Sequence, residues 1–134
     1  MKLNIALVSV IALIAFSCGQ NNEVNKKNSW IYDYEEILTI NQERYLDSII
    51  SDYEKKSTNE IMIVTSKNIG EFDKTMQYAA DFRSIHEVGK KGKDNGLVIF
   101  VSNKLKETAL STGYGNDKAL NDEICKKIVD NCRN

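Results

Sequence analysis

The chain has one histidine, His86, so it cannot assemble the multi-histidine set of a typical zinc enzyme, and its place in a helical pattern makes it a packing or surface residue. Surplus positive charge is also missing. Eighteen Lys and Arg against 19 Asp and Glu give a formal net charge of −1, which leaves no basic footprint for nucleic acid. There is no Gly-x-Ser-x-Gly elbow and no Walker loop, and Cys132-Arg133 stands too near the end to form a phosphate-cradling cysteine loop. Long apolar runs are absent: the longest, Ile5 to Phe16, falls short of the roughly 20 residues of helix that a hydrocarbon core requires. At 134 residues without internal repeats, the chain supports one folded domain.

What is present begins with an export pattern. Lys2, the apolar run and the small residues around Ser17-Cys18-Gly19 make residues 1–17 a secretory signal peptide rather than an anchor. Ala15-Phe16-Ser17-Cys18 resembles the lipobox of bacterial lipoproteins, with Ala15 where that family usually has Leu. The resemblance implies cleavage before Cys18, diacylglycerol on its thiol, and a protein exported and lipid-anchored at the bacterial cell envelope. An ordinary cleaved signal with a coincidental cysteine is the alternative. The Asn-rich stretch from Gly19 to Ser29 buries too little apolar surface to order itself, so residues 18–29 are expected to act as a tether holding the domain on the order of 20 Å from the bilayer.

The folded part is expected to run from residue 30 to residue 134. Thr39-Ile40-Asn41-Gln42 has capping-box spacing and precedes Leu46, Ile49, Ile50 and Tyr53 at helical intervals, which predicts a helix over 40–56. The runs Glu60 to Thr65 and Leu97 to Val101 lack alternation, as expected of strands covered on both faces. Between them Tyr78, Ala79, Phe82 and Ile85 predict a helix from Asp73 to about His86, so the segment forms a parallel crossover unit. Lys106 to Thr112 returns as a hairpin partner, making the sheet mixed, and a last helix spans about Asp122 to Cys132. Cys125 and Cys132 lie two turns apart on that helix, roughly 10.5 Å, beyond the reach of a disulfide. They share its apolar stripe with Ile124, Ile128 and Val129, where thiols behave as small hydrophobes.

Oxygen chemistry is the remaining candidate. Asp94-Asn95-Gly96 enters a strand at its amino end, and the antiparallel return strand finishes near the same end, so Asp94, Asp117 and Asp122 could converge. Clustered carboxylates repel one another unless protons or a hard cation such as Ca²⁺ or Mg²⁺ neutralise them. The plainer alternative makes Asn95-Gly96 a turn admitting positive φ and Asp122 an acid favoured at a helix N-terminus. Lys90, Lys91 and Lys93 are either phosphate contacts or a solvated loop.

The order of segments, with Asp94-Asn95-Gly96 and Gly113-Tyr114-Gly115 flanking a hairpin, resembles the TPM-domain family, which includes the thylakoid-lumen acid phosphatase and bacterial envelope proteins. The resemblance covers roughly residues 30 to 132. It implies a three-layer αβα sandwich with a small mixed sheet, an extracytoplasmic location and, in some members, divalent-metal binding near these loops. Asp117 stands where members often have Glu, and His86 where many have Trp. Members usually continue with another helix, so a shortened domain with a partly uncovered sheet and a tendency to self-associate is expected. Two functions follow: an envelope module that binds a protein partner with a divalent cation ordering its loops, or a metal-dependent phosphatase-like hydrolase.

Overall fold

The computed structural model describes residues 29–132. The expected signal peptide, Cys18 and nearly all of the expected tether lie outside the described residues. In chain order the elements are β1 (Ile31–Asp33), α1 (Ile40–Ser57), β2 (Glu60–Thr65), α2 (Thr75–Ile85), β3 (Gly96–Ser102), β4 (Glu107–Thr112), a 3-10 turn (Tyr114–Asn116) and α3 (Asp122–Cys132). The sheet order is β1-β2-β3-β4. The first three strands are parallel and β4 returns antiparallel to β3, with Leu97 opposite Thr112 and Ser102 opposite Glu107.

Helix α1 starts where its cap dictates. The Thr39 hydroxyl accepts from the Gln42 N–H at 3.3 Å and Gln42 Oε1 accepts from the Thr39 N–H at 2.8 Å, satisfying donors that a helix start leaves orphaned. It ends at Thr58, which takes the left-handed conformation at φ +64°. Strand β1 has no counterpart in the sequence reading, because three residues are too few to show a period. It pairs Ile31 with Ile63 and Asp33 with Thr65.

Beneath α2, Met62, Val64, Val98, Phe100 and Ala109 from alternate strand positions meet Ala79 and Phe82 in the main core. Val98 and Phe100 are wholly buried, and each such side chain contributes about 1.5–3 kcal/mol. His86 is a packing residue: its ring stacks on Phe82 with centroids 4.1 Å apart and leans on Tyr32 at 4.8 Å. Ile31 and Ile50 are buried apart from this cluster, where α1 packs on β1 and β2. Helix α3 packs on β4.

Two expectations need correction. Strand β3 is not equally covered on its two faces: Val98 and Phe100 are buried, whereas Leu97, Ile99 and Val101 are half-exposed. The unbroken apolar run reflected chain composition, while the cover on each face depends on which helices arrive there. The cysteines also part company. Cys125 is buried, and burial with the nearby Asp122 charge raises its thiol pKa; Cys132, a residue of the same helix, is exposed.

Buried carboxylates hold the end of the sheet opposite the candidate site. Asp33 accepts from the N–H groups of Ile37 at 3.2 Å and Leu38 at 2.8 Å, and from the Thr65 hydroxyl. Glu35 accepts from Asn103 N–H at 2.9 Å and Lys104 N–H at 2.6 Å, fixing the β3–β4 turn. Neither residue was read from the sequence as a buried structural carboxylate.

Candidate functional site

The amino end of β3 and the carboxyl end of β4 meet at the loop 89–95 and at Gly113-Tyr114-Gly115. Asp94 has φ +44°, in the left-handed region that Asp tolerates better than most residues. Its Oδ1 accepts from Arg83 of α2 at 3.0 Å and its Oδ2 from the Tyr114 N–H at 3.0 Å. Its backbone carbonyl accepts from the Gly115 N–H at 2.9 Å. Glycine at 113 and 115 is a spatial requirement. A Cβ at Gly113 would fall 2.1 Å from the Asp94 carbonyl oxygen, and one at Gly115 would fall 2.0 Å from that of Lys93.

Asn95-Gly96 does not serve as the expected positive-φ turn, because the left-handed residue is Asp94. Asn95 is instead a buried staple. Its Nδ2 donates to the Thr58 carbonyl at 3.0 Å and to Asn59 Oδ1 at 2.9 Å, and its Oδ1 accepts from the Lys90 N–H at 2.9 Å. Gly96 is needed because a Cβ there would lie 1.9 Å from the Val88 carbonyl oxygen. Asn116 completes the junction by donating to the Gly96 carbonyl at 3.0 Å. Arg83 and Asn116 were not identified as part of the site from sequence, and Asn95 was read only as a turn or strand-entry residue of Asp94-Asn95-Gly96; contacts made between remote segments carry no periodic signal.

The loop rim is charged but partly neutralised. Lys90 Nζ lies 2.6 Å from Glu54 and 2.7 Å from Glu60, and these hydrogen-bonded carboxylates raise its pKa above the ordinary lysine range. Lys93 donates to the Thr58 hydroxyl at 3.3 Å, while Lys91 is exposed. Arg83, Ser84, Lys90, Lys91 and Asp94 border a shallow cavity here.

The three expected metal-ligating residues have separate surroundings. Asp94 is clamped as described. Asp117 is exposed at the end of the 3-10 turn, and Asp122 opens α3 beside Thr112 and Cys125. Among the described residues no three Asp, Glu, His or Cys side chains gather in a cation-holding group. At Asp94 the positive charge comes from Arg83, so a cation using all three aspartates would have to displace that guanidinium and draw the loops together.

A four-stranded mixed sheet between helices, with a strand-entry Asp clamped to a Gly-Tyr-Gly loop, defines a small α/β domain. The sequence matches the TPM domain over residues 31–133, and the chain belongs to that family. Its fold is similar to the solution NMR structure of the N-terminal domain of a protein from P. gingivalis, with a TM-score of 0.71 at 19% identity, covering 82% of this chain and 69% of that one. It is also similar to the N-terminal domain of cg2496 protein from Corynebacterium glutamicum, with a TM-score of 0.56 at 12% identity, covering 66% of this chain and 56% of that one. At these identities the likeness is one of fold. No curated protein matches the sequence. Among the described residues no helix is long and apolar enough to cross a membrane.

Proposed function

We propose that this TPM domain is a non-catalytic recognition module, lipid-tethered through Cys18 at the outside of a bacterial membrane, that binds an envelope protein partner through the loops around Asp94 and Tyr114. The supporting observation is Tyr114. Its side chain is 84% exposed although its backbone is locked by Asp94 and two glycines that admit no substitution. A rigidly presented aromatic loses little entropy on binding and suits an interface anchor. Ca²⁺ or Mg²⁺ belongs to the same proposal as an ordering ion at Asp94, Asp117 and Asp122, in exchange for Arg83.

A hydrolase is the poorer account, because the Asp94 carboxylate is engaged on both oxygens, by Arg83 and the Tyr114 N–H, and among the described residues no hydrogen-bonded nucleophile–base pair accompanies it. A photocrosslinking amino acid at position 114 should give one discrete protein adduct in cells, weakened by Asp94→Ala, while Cys18→Ala abolishes incorporation of labelled fatty acid. Turnover of a generic phosphate ester, lost on chelation and in Asp94→Asn, would transfer the function to the hydrolase reading. Equal fatty-acid labelling of wild type and Cys18→Ala would remove the tether.

A further inference from the structure

Among the described residues, strand β4 borders the sheet and has β3 on one side only. The Gly113 N–H donates to the Gly96 carbonyl at 2.9 Å, and the register pairs Ser111 with Val98 and Ala109 with Phe100. In an antiparallel ladder the bonded pairs alternate, so Ala109 and Ser111 turn their backbone groups toward β3. Thr108, Leu110 and Thr112 each turn an N–H and a C=O outward. Among the described residues no loop or side chain bonds to these groups. Leu110 is only 6% exposed, so its outward groups are held largely away from bulk water, where an unpaired amide is costly.

The space along this edge is a slot. Thr108 to Thr112 form its floor, Met76 of α2 stands on one wall, and Cys125 and Val129 of α3 stand on the other. Natural edges are normally blunted by lysine, proline or bulges. Here the segment Thr108 to Thr112 carries no charge and no proline, and it pairs with β3 without a bulge.

We propose that the open edge of β4 is a β-addition site that takes one extended peptide segment of a protein partner, seated between α2 and α3. Backbone bonds to Thr108, Leu110 and Thr112 would supply affinity, and alternate side chains of the guest would face the two walls. The side toward α3 presents Val129 and the edge of Cys125 flanked by Asp122, Lys126 and Asp130, so it takes side chains with an apolar stem and a polar or charged tip. The side toward α2 presents Ala109, Ser111 and Met76, so it takes small or β-branched ones. Edge-to-edge pairing with the β4 of a second copy is disfavoured, because that strand is walled by the same two helices. The proposal does not rest on the loop interface at Tyr114.

The test uses the full chain in detergent micelles and a blocked hexapeptide of alternating valine and threonine, a sequence with high strand propensity. At about ten times Kd the peptide should slow hydrogen exchange of the Thr108, Leu110 and Thr112 amides about tenfold and shift their resonances. Ala109 and Ser111 amides, already bonded to β3, should respond less. The same peptide N-methylated on alternate amides should not bind. Met76→Trp narrows the slot from a position 47% exposed, so it should weaken binding without lowering the melting temperature. Tyr114→Ala should leave peptide binding unchanged. Four outcomes would overturn the proposal: no response at these amides with millimolar peptide, equal binding of the N-methylated peptide, equal binding by Met76→Trp, or protection of the same amides by protein concentration alone with doubling of mass.

Discussion

The Arg83 guanidinium lies 3.0 Å from the Asp94 carboxylate, which also receives the Tyr114 N–H, so α2, the loop before β3 and the loop after β4 meet on one side chain. The Asp94 side chain is 47% exposed and that of Arg83 22%, which places the ion pair itself in the range of about 0–1 kcal/mol. Its role is to position the loops more than to stabilise the fold.

The pair predicts a competition. If Ca²⁺ uses Asp94, Asp117 and Asp122, removing the resident guanidinium should free the Asp94 carboxylate for the ion and strengthen the response to it. Arg83→Met should therefore show a larger Ca²⁺-induced rise in melting temperature than wild type, and Asp94→Asn a smaller one, with Asp47→Asn on α1 as an unaffected control. Binding to the native state alone adds about 2.7 kcal/mol at a hundredfold excess over Kd. If millimolar Ca²⁺, Mg²⁺ and Mn²⁺ leave the melting temperature and the amide resonances of Asp94 to Gly96 unchanged in wild type and in Arg83→Met, the cation reading fails.

Gly96→Ala should destabilise the domain by about 1–3 kcal/mol, because the added methyl meets the Val88 carbonyl oxygen at 1.9 Å and the backbone must yield. Urea unfolding measures it. A loss below about 0.5 kcal/mol would mean that the two loops can separate freely, against the rigid junction described here.

Lys90 makes a pH prediction. The hydrogen-bonded carboxylates of Glu54 and Glu60 raise its folded pKa above the ordinary lysine value of 10.5, so the contribution is fully present below that value and is lost as pH rises through the folded pKa. The stability difference between wild type and Lys90→Met should be flat from about pH 7 to 9 and shrink in more alkaline solution. A difference that grows with alkalinity would contradict the pairing.

Self-association should involve α1. Tyr45, Ile49 and Tyr53 form a stripe one turn apart that is 45–67% exposed, and exposed apolar patches favour association. Sedimentation of the wild-type protein should show concentration-dependent association that Ile49→Lys with Tyr53→Lys reduces. A monomer in both cases would assign the stripe to another partner or to solvent.

Much of the architecture was legible because each element carried its own local signal. The capping box at Thr39 and Gln42 starts α1 where expected, and α3 spans Asp122–Cys132 as its apolar stripe requires. The meeting of Asp94-Asn95-Gly96 with Gly113-Tyr114-Gly115 was legible through the family resemblance, and the hairpin register brings it about. Strand β1 escaped notice, since three residues pairing with β2 carry no period of their own. Arg83 escaped as well: its contact with Asp94 depends on how α2 crosses the sheet.

By itself the sequence determined the helix limits, the strand runs, the parallel crossover with its antiparallel return, and the glycines flanking the candidate site, because each follows from propensity, period or spacing along the chain. Only the tertiary structure decided that Asp94 pairs with Arg83, that Asn95 is a buried staple, and that one side of β3 is less covered than the other. It likewise decided that the outer edge of β4 opens into a slot between two helices. Those features depend on distances between segments remote in sequence, which no local pattern specifies.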